Sequence, residues 1–238
     1  SNILSNILIP IEQYDKLKNN YSGENDNLDS YIWIILFRYQ LLGSNNNQLA
    51  ILPNILESMQ QDINFNFECF SSPINSFTKN YCSLYYDIEK YFGSIGSFFN
   101  TTFTKGTFTF NPPYQSDIID KSVHKILIDL KNSSDELSFV ITIPIWDYNG
   151  KKEMKDKNME NNNDIIDYGD FYIIDKIKNS EFFKGLRMVP KEDFTYLDHN
   201  FYLYKNKTIQ NTYVILLSNF NNNYMDYLNI YDFGYYVE

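Results

Sequence analysis

Asn111-Pro112-Pro113-Tyr114 is the string in this sequence whose residue types and order could do chemistry. An exocyclic amine of a purine such as adenine N6 is a poor nucleophile, because its lone pair is delocalised into the ring. Two acceptors on its two N–H groups favour a more pyramidal nitrogen and aim the lone pair at an electrophile such as a methyl sulfonium. The side-chain carbonyl of Asn111 is one acceptor, and the backbone carbonyl of Pro112 is the other. The prolines keep the backbone extended, since each fixes φ and the second restricts the first. Tyr114 offers a flat face to a splayed base, a contact worth about 1–3 kcal/mol. The proton can leave after transfer, so no base with a shifted pKa is required. Rate would come chiefly from positioning, with the methyl carried by a cofactor. A rigid Pro-Pro turn is the bland alternative.

The neighbouring pattern favours the catalytic reading. Residues 106–110 (GTFTF) alternate as a strand does. Ser116 is a candidate N-cap, and Ile118, Ile119, Val123, Ile126, Leu127 and Leu130 form a helical stripe behind it. A loop between such a strand and helix lies at the strand's carboxyl end, where open α/β sheets bind ligands. Residues 64–70 (NFNFECF) predict a second strand, closed by Ser71, Ser72 and Pro73, a turn of the kind that approaches a cofactor. Fully apolar strands are expected over 137–143 and 211–217, and helices over 31–42, where β-branched content leaves a strand as the alternative, and from Pro53 to Gln60. Strands separated by helix-length segments predict an α/β domain with a mostly parallel sheet flanked by helices. Residues 1–30 read as an N-terminal extension and 31–238 as one catalytic domain. Residues 147–164, with four lysines among acids and asparagines, read as a solvated mobile loop, or as a Lys-bearing flap near phosphates.

Composition narrows the partners. The chain has 238 residues, 43% of them hydrophobic, enough for one sizeable core. Its formal net charge is −10, and its only arginines are Arg38 and Arg187. Non-specific nucleic-acid binding relies on excess Lys and Arg. An acidic chain acting on nucleic acid therefore needs a local basic patch, a small target such as one terminal nucleotide, or a basic partner subunit. Cys69 and Cys82 form no CxxC pair and, with two histidines, supply neither a disulfide framework nor a metal site. The most apolar run, 31–37, is too short to span a bilayer. These features predict an intracellular protein with no metal and no membrane partner.

Several strings, in order, carry a resemblance. They are Phe37-Arg38-Tyr39-Gln40, Phe67-Glu68-Cys69-Phe70-Ser71-Ser72-Pro73-Ile74-Asn75, Tyr81-Cys82-Ser83, Tyr91-Phe92-Gly93-Ser94, and Gly106-Thr107-Phe108 leading into Asn111–Tyr114. Leu137-Ser138-Phe139-Val140, Ile143-Pro144 with Trp146, the 182–190 segment and Asn211-Thr212 follow. Together they resemble the catalytic domain of the cap-specific adenosine N6-methyltransferases, the phosphorylated-CTD-interacting-factor family.

The resemblance implies a Rossmann-like class I methyltransferase that uses S-adenosyl-L-methionine. Its substrate would be capped mRNA starting with adenosine, met in the nucleus or at a cytoplasmic, including viral, site of transcription. By matching position, Asn111, Pro112, Pro113 and Tyr114 would be catalytic. Phe70, Ser71, Ser72, Pro73 and Asn75 would line the cofactor site, with Asp87 an acidic partner for the cofactor. Pro144 and Trp146 would border the substrate. Three departures stand out. Tyr114 replaces the family's usual Phe, and Ile145 stands where an acidic residue is usual. The WW domain of animal members is not expected in this chain, and at most a short remnant of their upstream helical region is, so a partner subunit could supply cap contacts. Methylation of internal RNA or DNA adenines, and a catalytically silent RNA-binding subunit, are the competing readings.

Overall fold

The structure is a computed structural model and describes residues 9–43, 48–145, 169–199 and 205–234 of the chain. Its centre is a five-stranded sheet of β2 (Phe65–Glu68), β3 (Gly106–Phe110), β4 (Leu137–Pro144), β5 (Phe183–Val189) and β8 (Thr212–Ser218), in the order β2-β3-β4-β8-β5. β2 pairs with β3 and β3 with β4 in parallel, while β8 runs antiparallel to both β4 and β5. The expected α/β class is observed, but the sheet is mixed, with two parallel and two antiparallel pairings. The reason lies in residue type. Runs such as 137–143 and 212–217 are apolar on both faces, and such a run reads the same in either direction.

Alternate residues of β4 and β8 enter two cores. Phe139, Ile141, Ile215 and Leu217 pack on one face against Val123, Ile126 and Leu130 of α5 (Ser116–Asn132) and Ile177 of α6 (Gly169–Lys178). Val140, Val214 and Leu216 pack on the other against Leu56 and Met59 of α3 (Pro53–Ile63) and Leu228 of α7 (Tyr224–Ile230). Burial of each such side chain is worth about 1.5–3 kcal/mol. α3 starts on Pro53, as the sequence predicts, and stops at Asn64, which takes the left-handed conformation at φ 54°. α5 begins one residue earlier than expected. Ser116 is its first helical residue, Gln115 precedes it as the cap, and no side chain caps this end.

Two features position the site. A small antiparallel sheet, β1 (Leu49–Ile51), β6 (Tyr196–Asp198) and β7 (Lys205–Lys207), has no counterpart in the sequence reading. Second, residues ahead of 31 are built into the fold. Leu17 of α1 (Ile11–Asn20) is fully buried in a cluster with Ile32, Ile35 and Leu36 of α2 (Leu28–Leu41) and with Ile74 and Phe92. Gly93, in the Tyr-Phe-Gly-Ser string, has φ +106°, and a Cβ there would stand 2.1 Å from the Lys79 carbonyl oxygen. Only glycine fits that approach. Among the described residues no helix is long and apolar enough to cross a membrane.

Candidate active site

β2 and β3 end side by side, and their carboxyl ends carry the two strings singled out above. From β2 the sheet continues the other way through single parallel bridges, Glu68 to Tyr81 and Tyr81 to Ser94. The chain thus leaves β2 on one side and returns as β3 on the other. Such a reversal is a topological switch point, and the crevice outside it is where open α/β sheets take ligands. Glu68, Phe70, Ser71, Asn75 and Asn111 line a cleft there, with β1 as its wall.

The turn after β2 is tied to itself. Asn75 Oδ1 accepts from the Ser72 amide at 2.8 Å and from the Ser71 hydroxyl at 3.1 Å. The Ser72 hydroxyl lies 2.9 Å from the same oxygen and 2.8 Å from Gln48 Oε1, so its single proton has two acceptors. Glu68 Oε2 accepts from the amides of Phe77 and Thr78 at 2.7 and 2.9 Å. Burial raises the Glu68 pKa, and those amides oppose the rise. From behind, Gln13 Nε2 and Lys16 Nζ of α1 both donate to the Ile74 carbonyl at 2.9 Å. Burial lowers the Lys16 pKa to about 8, against the pull of the Glu68 carboxylate.

The loop after β3 is held from elsewhere in the chain. Asn111 Nδ2 donates to the Leu49 carbonyl of β1 at 3.2 Å, and Asn111 Oδ1 accepts from the Tyr114 hydroxyl at 3.0 Å. The Tyr114 ring meets Tyr196 of β6 edge-on, with centroids 6.2 Å apart. The Tyr196 hydroxyl reaches Thr212 Oγ1 at 3.3 Å. Burial, reinforced by Tyr196, holds the Tyr114 phenol well above its usual pKa. Burial pushes Tyr196 up to about 12. Both therefore stay neutral donors at physiological pH.

The structure brings together Phe70, Ser71, Asn75, Asn111 and Tyr114. Pro112 is buried beside them and Pro113 is exposed, while Ser72 and Pro73 are buried within the turn and do not line the cleft. Asp87 is not at the cleft. Both its oxygens accept from Arg38, each at 2.7 Å, which holds the carboxyl below its ordinary pKa and gives it a guanidinium partner where a cofactor partner was expected. Pro144 ends β4, buried opposite Thr212. Trp146 and residues 147–164 lie outside the described residues. Sequence reasoning did not single out Glu68, Leu49 or Tyr196. A buried acidic residue at the end of a Phe-rich strand was the available sign for Glu68. Leu49 acts through its backbone, which no residue type announces.

A mixed α/β sheet with a switch-point crevice, and an amide-proline-proline-aromatic loop at its edge, define the class of this domain. Residues 11–176 match the family model described as "Phosphorylated CTD interacting factor 1 WW domain", and the chain belongs to that family. The matched residues run from α1 into α6. A Mus musculus protein named mRNA (2'-O-methyladenosine-N(6)-)-methyltransferase is 32% identical over 121 residues, covering 48% of this chain and 17% of that protein. The Homo sapiens protein of the same name is 31% identical over 121 residues, with the same coverage of each chain. The similarity thus spans 17% of the length of these relatives.

Proposed function

We propose that this chain is a Rossmann-like, S-adenosylmethionine-dependent methyltransferase acting on N6 of the adenosine next to the mRNA cap. One observation carries the reading. Asn111, flanked by Pro112 and Tyr114, stands across one cleft from the turn after β2, at the switch point between β2 and β3. The sheet supports it. β2, β3, β4 and β5 share one direction, and β8 alone is reversed. The names of the two relatives support the substrate.

The residues of the cleft suit this cofactor, which is a cation with an amino acid tail and a nucleoside. Glu68 offers a carboxylate to the ammonium, Phe70 an aromatic face, and Ser71 and Asn75 polar groups. When bound, S-adenosylmethionine supplies an electrophilic methyl group. Asn111 Oδ1 and the Pro112 carbonyl accept the two hydrogens of the target amine and hold its lone pair toward the cofactor side. The Tyr114 hydroxyl, which now donates to Asn111 Oδ1, gives way to the amine, while its ring stacks on the base. No side chain has to remove a proton before transfer.

The net charge of −10 favours a terminal nucleotide over a long polymer track, and several cations are already engaged within the chain. Arg38 is taken by Asp87, and Arg187 donates to the carbonyls of Leu228 and Tyr231. Lys125 and Lys176 pair with Asp129 and Asp120. Recognition of an RNA end by stacking and edge contacts needs little phosphate neutralisation. A partner subunit would add whatever phosphate contacts longer RNA demands. Incubating the purified chain with labelled methyl donor and capped RNAs that start with A or G tests the reading. Transfer to the A-start RNA alone is expected. Equal transfer to both, or none, overturns it. Competition by uncapped RNA and by DNA separates cap-adjacent from internal methylation.

A further inference from the structure

The two ends of the Asn111 amide are held by groups of opposite demand. Nδ2 donates to the Leu49 carbonyl at 3.2 Å, and Oδ1 accepts from the Tyr114 hydroxyl at 3.0 Å. The Leu49 carbonyl cannot turn away easily. Leu49, Ala50 and Ile51 pair with Asp198, Leu197 and Tyr196 of β6, and all three are at most 6% exposed. A backbone carbonyl only accepts, so it admits the N–H side of an amide and repels the oxygen side. The amide is therefore turned with its oxygen toward Tyr114, which is the oxygen a target amine needs.

We propose that the Leu49 carbonyl is a positioning group that makes an amide, and not a carboxylate, obligatory at position 111. Its chemical consequence rests on the methyltransferase reading above, whereas the geometric requirement stands without it. An ionised Asp at 111 would set one carboxylate oxygen against the Leu49 carbonyl oxygen, acceptor against acceptor. A neutral Asp has one O–H donor and one carbonyl acceptor, enough to repeat the two contacts that the amide makes here. The substituted side chain should then hold its proton to unusually high pH, because both the acceptor and the partly buried setting disfavour the anion.

Among the described residues, Glu68 faces the cleft from β2, Tyr196 and Asp198 come from β6, with Asp198 paired to Leu49 itself, His199 follows with its amide on the Gln48 carbonyl, and Tyr114 comes from the loop. β1 and β3 (LAI and GTFTF) contribute none. Glu68 is present in wild type and in both variants, but only in Asn111→Asp does it meet a second carboxyl and titrate with it as a pair. Its anionic form adds to the rise at position 111.

Two readouts on wild type, Asn111→Asp and Asn111→Ala test this. The first is thermal unfolding of the protein alone between pH 5 and 8. A carboxyl whose folded pKa is raised contributes stability at low pH that is lost as pH rises through that pKa. The stability gap between wild type and Asn111→Asp should widen with pH, while the gap to Asn111→Ala stays level. A level gap for Asn111→Asp overturns the proposal. The second readout is methyl transfer to a capped A-start RNA. Asn111→Asp should lose at least about 100-fold at pH 8, the scale of removing one preorganised catalytic hydrogen-bonding group, and recover part of it toward pH 5.5. Wild-type turnover of Asn111→Asp at pH 8 also overturns it. If the wild type methylates no adenine but the stability gap still widens with pH, the functional reading fails and the positioning contact is upheld.

Discussion

The turn after β2 and the loop after β3 end neighbouring parallel strands, yet they are held in opposite ways. Residues 68–78 bind one another, with Asn75 Oδ1 and Glu68 Oε2 each gathering several donors from within ten residues. α1 adds Gln13 and Lys16 from behind. Asn111 has its Nδ2 partner 62 residues away in β1, and the Tyr114 ring leans on β6. A turn closed by its own side chains keeps its shape whatever the small sheet does. A loop clamped from a second sheet is only as well placed as that sheet. Substitutions in the first region should therefore cost stability and cofactor affinity. Truncations that bring no charge into the second should cost turnover and leave stability nearly intact.

The widest separation is expected at Asn111. Asn111→Ala removes an acceptor from the amine and should lower kcat by about 10²–10³-fold. Its melting temperature should stay within a few degrees of wild type. Near wild-type turnover in a steady-state assay would remove Asn111 from the chemistry and break the contrast.

Asn75→Ala probes the other side. It strips the shared acceptor from the Ser72 amide and two hydroxyls. A buried donor left unmade costs about 1–3 kcal/mol. Chemical denaturation should show a loss of that size. Calorimetry with S-adenosylhomocysteine should show weakened binding, whereas Asn111→Ala should bind this product much as wild type does. Equal product affinity in Asn75→Ala and wild type would detach the turn from the cofactor.

Tyr114→Phe sharpens the role of the clamped loop. It keeps the ring and frees Asn111 Oδ1 from the hydroxyl that now occupies it. The KM for the adenosine substrate should fall by roughly two- to tenfold, since one modest hydrogen bond no longer has to be displaced. A raised KM would mean that the hydroxyl itself contacts substrate.

The smallest effect is expected at Asp87. Its pairing with Arg38 is well formed, but the Asp87 side chain is 60% exposed. Exposed pairs contribute about 0.2–1 kcal/mol. Asp87→Ala should change stability by no more than that and leave S-adenosylhomocysteine affinity unaltered. A tenfold loss of affinity would restore the cofactor role that its sequence position suggested.

Much of this arrangement was legible before any coordinates. Phe67 and Cys69, then Phe108 and Phe110, alternate because each chain segment turns every second side chain into one core, whereas Phe65, expected on the same face as Phe67, enters the opposite core because the register shifts between the two. Val123, Ile126 and Leu130 recur at helical spacing because α5 buries one stripe. Both patterns report burial, which residue type records. The reversed direction of β8 was hidden, since an apolar run has no arrow. The small sheet was hidden too, because three-residue strands are too short to show a period.

The sequence by itself determined that an amide, two prolines and an aromatic ring close β3, and that a polar turn closes β2. Those are statements about order along the chain, and local propensity suffices for them. Tertiary structure alone decided what each group faces. It set the two strand ends beside one another, turned the Asn111 oxygen toward Tyr114 through a backbone carbonyl of β1, and gave Asp87 to Arg38. Hydrogen bonds between residues far apart in sequence depend on how distant segments pack, and a backbone acceptor is the same atom in every residue type.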